Sequence, residues 1–138
     1  MNILILEDST PIRTLTRLSL KNTGHTILEA ASAEEAFRRF DETDGQIDLL
    51  IADVTLPDRS GIDVAAELQS LLPNLRVVVT SGYPMGCWAS EDAERFAELP
   101  SGSVITLQKP YPPSTLLNTV LRLLGMLPAA RPQTAAAC

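Results

Sequence analysis

Basic charge is scarce in this chain: 11 Lys and Arg stand against 17 Asp and Glu, for a net charge of −6 and an isoelectric point near 4.7. With no Lys/Arg cluster along the sequence there is no surface to neutralise a phosphate backbone, so direct nucleic-acid binding is not expected. The two cysteines, Cys87 and Cys138, lie far apart without CxxC spacing, and His25 is the only histidine, which supports neither a disulfide framework nor a zinc site. The seven glycines are scattered and form no Gly-rich phosphate loop, which weakens any nucleotide-binding reading. The first residues, MNILILED, have no basic n-region and meet two acids after a few apolar positions. They read as neither a signal peptide nor a membrane span, and a cytoplasmic protein with no membrane partner is expected.

What remains is a globular composition: 138 residues, 45% apolar and 20% charged, the size of one packed domain. Asn2 to Leu6 (NILIL) is a short run apolar throughout, as in a strand buried on both faces. Ser9 or Thr10 can cap a following helix, Pro11 suits its first turn, and Ile12, Leu15 and Leu18 recur at helical spacing until Asn22 and Gly24. The cycle repeats with a strand from Thr26 to Ala30, then Ser32-Ala-Glu-Glu35, a capping-box pattern before Ala36, Phe37 and Phe40. Asp44-Gly45 marks a turn before a strand from Asp48 to Asp53, and a helical stripe runs from Ile62 to Leu72. Leu75 to Thr80 and Val104 to Leu107 give two more strands, and Ser114 to Leu124 a last helix. Short apolar strands alternating with helices imply an α/β fold: a doubly wound parallel sheet with helices on both faces. Residues 126–138 are small and proline-rich without periodicity, and are expected to be a disordered tail rather than a second domain.

In doubly wound folds ligands bind outside the carboxyl ends of the strands. Glu7 and Asp8 follow the first strand, Asp53 closes the third, Thr80 closes the fourth and Lys109 follows the fifth. Three carboxylates at one sheet edge repel one another unless a cation joins them, and Mg²⁺ suits carboxylates acting together with a substrate phosphate. An aspartate can accept a phosphoryl group if a lysine, a metal and a hydroxyl stabilise its oxygens. Asp53, Lys109 and Thr80 offer those roles. Singly, Asp8 reads equally well as a helix cap and Lys109 as surface charge, and Thr80 reads more often as a strand end than as a ligand; their joint placement carries the inference.

These residues resemble the receiver domain of two-component response regulators. The matching elements are the acidic pair Glu7-Asp8, the DxxxPxxxG segment from Asp53 through Pro57 to Gly61, then Thr80 in TSGY and Lys109-Pro110-Tyr111. The likeness covers residues 1–125 and implies a flavodoxin-like five-stranded sheet in the order 2-1-3-4-5. It further implies Asp53 as phosphoacceptor, with Mg²⁺ held by Asp8, Asp53 and the backbone carbonyl of Thr55, Glu7 acting mainly through water, and Lys109 pairing with the phosphoryl oxygens. The phosphoryl donor would be a histidine kinase or histidine phosphotransfer protein, and Thr80 would move toward the phosphoryl group as a switch. Such a protein is not an enzyme beyond its own phosphorylation and dephosphorylation. Family members often dimerise through the face of the fourth and fifth helices and the fifth strand, so a homodimer there is among the implied partners.

The chain departs from the family pattern in its readout. Many receivers carry an aromatic residue three positions before the lysine, where this chain has Thr106, leaving Tyr83 and Tyr111 as switch candidates. The stretch from Gly82 to Gly102 is longer than usual and contains Trp88, expected to cover a loop core rather than anchor a partner, and a short helix from Ser90 to Leu99. Ser81 could share the hydroxyl role of Thr80, and Thr55 sits where the family tunes dephosphorylation. Met1 directly before the first strand, and too few residues after Leu124 for an output domain, lead to the expectation of a stand-alone regulator or phosphorelay intermediate acting on an unknown downstream protein. The alternatives are a small aspartyl-phosphate-type phosphohydrolase, for which Thr55 is a poor substitute for the second Asp, and a phosphorylation-independent pseudo-receiver.

Overall fold

Strands that are apolar on both faces must be covered on both faces, and the chain satisfies this with a three-layer sandwich. The computed structural model describes residues 1–100 and 102–125. The expectation of a disordered tail over residues 126–138 lies outside them. In chain order the elements are β1 (Asn2–Leu6), α1 (Thr10–Leu20), β2 (Thr26–Ala30), α2 (Ala33–Glu42), β3 (Leu49–Asp53), α3 (Gly61–Leu71), β4 (Arg76–Ser81), α4 (Ser90–Glu98), β5 (Val104–Gln108) and α5 (Pro113–Leu123). The five strands pair in parallel in the order β2-β1-β3-β4-β5, the doubly wound topology expected from the sequence.

The strand pleat sorts side chains between the two layers with period two. Ile3, Ile5, Leu49, Ile51, Val78 and Leu107 pack with Leu20 of α1 and with Leu116, Val120 and Leu123 of α5. Leu4, Leu6, Leu50, Ala52, Val77 and Val79 pack on the other side with residues of α2 and α3, joined by Phe96 of α4. The order of strands puts β3 at the centre between β1 and β4, and every residue of β3 is buried.

Local signals decide where the elements begin. Ser32 caps α2, its side-chain oxygen accepting from the Glu35 amide at 3.2 Å as the capping-box pattern anticipates. Asp44 (φ 53°) and Gly45 (φ 75°) take left-handed conformations in the turn before β3, which is why that dipeptide marks the turn. At α1 Ser9 occupies the cap position, but no side-chain oxygen caps the helix. The Ser9 amide instead donates to Glu7 Oε2 at 3.2 Å. The expected short helix after Trp88 is present as α4, preceded by a single 3-10 turn over Met85–Cys87.

Leu50 is fully buried in the middle of β3, so Leu50→Ala should cost about 2–5 kcal/mol as lost burial plus cavity. Leu15 on α1 is 64% exposed, and Leu15→Ala should stay within about 0.5 kcal/mol of the parent. Urea unfolding of the two variants checks both values.

Candidate functional site

Continuing one pleat face past the strand ends assembles the site. The face that carries Ile5, Ile51, Val78 and Leu107 arrives two residues later at Glu7, Asp53, Thr80 and Lys109. Asp53 and Thr80 are directly paired across β3 and β4. The Lys109 ammonium lies between two of the acids, 2.5 Å from Glu7 Oε1 and 3.2 Å from Asp53 Oδ2. Asp8, exposed just beyond β1, completes an acidic cluster in which one ligand oxygen from each of Glu7, Asp8 and Asp53 lies within 4.8 Å of the others.

The charges do not balance. Burial pushes the Glu7 carboxyl above the usual carboxylate range, and the neighbouring Asp53 adds to it; hydrogen bonds from Lys109 and the Ser9 amide offset only part. Burial pulls Lys109 down, but the Glu7 and Asp53 carboxylates outweigh it and leave the ammonium above its ordinary value. One lysine among three carboxylates leaves a net negative pocket of oxygen donors, which is the chemistry a hard divalent cation requires. Thr55 is exposed beside it: its amide donates to Asp53 Oδ1 at 3.3 Å, and its carbonyl accepts no hydrogen bond among the described residues.

The remaining expected residues divide. Ser81 falls on the opposite pleat face, with Val77 and Val79, and its hydroxyl accepts from the Tyr83 amide at 3.0 Å and from Trp88 Nε1 at 3.2 Å. It therefore supports the following loop rather than sharing the position of Thr80. Trp88 is half-buried and meets Phe96 edge to face at 5.4 Å, in agreement with the loop-core reading. Tyr83 is 66% exposed, whereas Tyr111 packs into the α1/α5 layer, where burial raises its phenol. Thr106, in the place of the usual aromatic, donates its hydroxyl to Met85 Sδ at 3.6 Å.

Two supports of the site escape a reading by strand ends. Arg13 reaches from α1 to the Glu7 carbonyl at 2.8 Å while pairing with Glu29 of β2 at 3.3 Å. A charged residue in the middle of an otherwise apolar strand was the available signal. Gly61 opens α3 against the end of β3: a Cβ there would sit 1.9 Å from the Asp53 carbonyl oxygen, so no side chain fits. That close approach explains the glycine that ends DxxxPxxxG. The Lys109-Pro110 peptide bond is cis.

A doubly wound parallel sheet that gathers an acidic cluster, a hydroxyl residue and a lysine at the carboxyl ends of four of its strands defines the flavodoxin-like class of α/β folds. Within it the family model of the response regulator receiver domain matches residues 3–121, and the chain belongs to that family. It is 33% identical to the DNA-binding transcriptional regulator NtrC of Azospirillum brasilense over 135 residues, covering 96% of this chain and 26% of NtrC. It is 25% identical to the chemotaxis protein CheY of Thermotoga maritima, covering 86% of this chain and 92% of CheY. The crystal structure of the receiver domain of the hybrid histidine kinase CckA superposes with a TM-score of 0.72 at 31% identity, covering 90% of this chain and 99% of that one. The chain thus spans about a quarter of NtrC (26%) but nearly the whole of a CheY (92%). Among the described residues no helix is long and apolar enough to cross a membrane.

Two outcomes follow from this geometry. Gly61→Ala should lose about 1–3 kcal/mol in urea unfolding, the usual cost of overpacking, because the added carbon collides with backbone. Lys109 binds its proton more tightly folded than unfolded, so its contribution is fully present below the unfolded lysine value of about 10.4 and is lost as pH rises through the raised folded value. Stability measured from pH 8 upward should show that decline, and Lys109→Gln should flatten it.

Proposed function

We propose that residues 1–125 act as a Mg²⁺-dependent receiver that takes a phosphoryl group onto Asp53 from a histidine kinase or histidine phosphotransfer protein. The observation that carries the reading is the placement of Lys109 between Glu7 and Asp53, on one pleat face with Thr80. Aspartate phosphorylation and an acidic Mg²⁺ pocket are characteristic of the family to which the chain belongs. Asp8, Asp53 and the Thr55 carbonyl would hold the ion, with Glu7 beside them, and the ion would supply positive charge to the phosphoryl oxygens.

The chain's own residues do the rest. An Asp53 carboxylate oxygen attacks phosphorus, the bond from phosphorus to the donor imidazole nitrogen breaks, and the imidazole keeps the electron pair and takes a proton. Lys109 then follows the charge onto the phosphoryl oxygens, and the Thr80 hydroxyl, which makes no hydrogen bond among the described residues, is available to donate to them. Return of Asp53 by hydrolysis makes the protein a switch rather than an enzyme acting on other substrates. Output runs through protein contact, with α4, β5 and α5 as the face proposed for a downstream protein or a second copy.

The readout differs from that of receivers with an aromatic at position 106. A displacement of Thr80 toward Asp53 passes to Ser81, whose hydroxyl holds both the Tyr83 amide and Trp88 Nε1. The segment 82–88, with the exposed Tyr83, is therefore the switch, and the packed Tyr111 is not.

Intact-mass measurement after incubation with Mg²⁺ and acetyl phosphate should show one added phosphoryl group on the wild type and none on Asp53→Asn. No adduct on the wild type would favour the pseudo-receiver, and steady turnover of unrelated phosphomonoesters the phosphohydrolase. Because Trp88 is the single tryptophan, its emission should shift when beryllofluoride and Mg²⁺ are added to the wild type, with no shift in Asp53→Asn. Amide spectra over Thr80 to Leu99 that stay unchanged on that addition rule out the 82–88 switch.

A further inference from the structure

We infer that Asp58 is a positioning residue for the proposed Mg²⁺ site: by clamping the β3–α3 loop onto the start of α2, it fixes where that loop presents the Thr55 carbonyl. This deepens, and rests on, the receiver reading of the same site.

The first four amides of a helix have no partner within it. In α2 the amides of Ala33, Glu34 and Glu35 are all satisfied from outside the helical ladder, two of the three by a residue from another part of the chain. The Ala33 amide donates to Asp58 Oδ1 at 3.1 Å and the Glu34 amide to Asp58 Oδ2 at 3.2 Å. The Glu35 amide goes to Ser32 Oγ at 3.2 Å and the Ala36 amide to the Ser32 carbonyl at 3.0 Å. A carboxylate spanning two amides at a helix N-terminus is favoured by the helix dipole as well as by the hydrogen bonds. Those bonds, led by the one from Ala33, hold the Asp58 carboxyl below the usual carboxylate range.

A second tie lies next to the first. The Arg59 guanidinium stands 5.6 Å from the centre of the Phe37 ring of α2 and pairs with Glu67 of α3 at 3.0 Å. At its ends the loop is held by the Val54 amide on the Thr80 carbonyl and by the Gly61 amide on the Val54 carbonyl, both at 3.0 Å. Thr55 lies between these anchors, exposed, with one amide bond of 3.3 Å to Asp53 Oδ1. The loop tip at Asp58 is thus the anchor that faces away from the site yet limits how far Thr55 can move.

The test compares three variants of the full chain. Asp58→Ala removes both acceptor atoms, Asp58→Asn keeps one oxygen, and Ser32→Ala removes a different cap from the same helix end. Titrated calorimetrically with Mg²⁺, Asp58→Ala should bind about tenfold more weakly, the low end of the range for losing a residue that orients a metal ligand. Asp58→Asn should fall between it and the wild type. Ser32→Ala should lower thermal stability comparably and leave Mg²⁺ affinity within about twofold of the wild type. In metal-free protein, amide exchange at residues 54–56 should accelerate in Asp58→Ala and not in Ser32→Ala. Equal Mg²⁺ affinity in Asp58→Ala and wild type, an equal loss in Ser32→Ala, or unchanged exchange would overturn the inference. A wild type that takes no Mg²⁺ sinks the receiver reading of the site instead, while the exchange comparison still decides whether Asp58 orders the loop.

Discussion

The ion contact of Lys109 with Glu7 and Asp53 is the interaction around which the molecule is arranged. It joins the end of β5 to the ends of β1 and β3, across 102 and 56 residues of sequence, and it forms only if all three strands run parallel and in register. Burying two carboxylates so close together is unfavourable unless positive charge meets them, and a single lysine meets only part of that requirement. The remaining negative potential is what a divalent cation and then a phosphoryl group, with its own charge held between cation and lysine, can occupy. Fold and chemistry are in this sense one constraint.

Much of this was legible because periodicity and chemistry coincide. A run such as NILIL or LLIAD leaves few options besides a strand covered on both sides, and polar residues at the ends of several such strands must then gather at one edge. The pleat supplies the finer distinction that adjacency in sequence cannot. Thr80 and Ser81 are neighbours with equivalent hydroxyls, yet they point into different layers and serve different ends. What sequence could not display were contacts between a side chain and distant backbone. Asp58 on the amides of α2 leaves no spacing pattern, since its partners carry no residue identity. Gly61 was visible as a motif position, and its cause became visible only in the distance to the Asp53 carbonyl.

The region after β4 keeps the family frame but fills it differently. Where an aromatic is usual stands Thr106, with Met85 against its hydroxyl, and an indole held by Ser81 and Phe96 fills the adjoining space. A hydroxyl that accepts two hydrogen bonds at the very end of β4 links the strand directly to the loop. Thr80, paired with Asp53, is thus joined to the loop through its backbone neighbour Ser81.

The contact between Gly61 and the Asp53 carbonyl also divides the molecule mechanically. With no side chain between them, the first turn of α3 bears on β3 like a bracket on a beam, and the loop joining them is bolted to α2 at its tip. Any load applied at Asp53 meets a stiff abutment on that side, with α2, α3 and β3 braced together. On the other side the strand edge rests on β4, whose continuation is steadied by one serine hydroxyl. Under the proposed function, the bracket at Gly61 would give the domain a handedness of response, with a change at Asp53 leaving through β4.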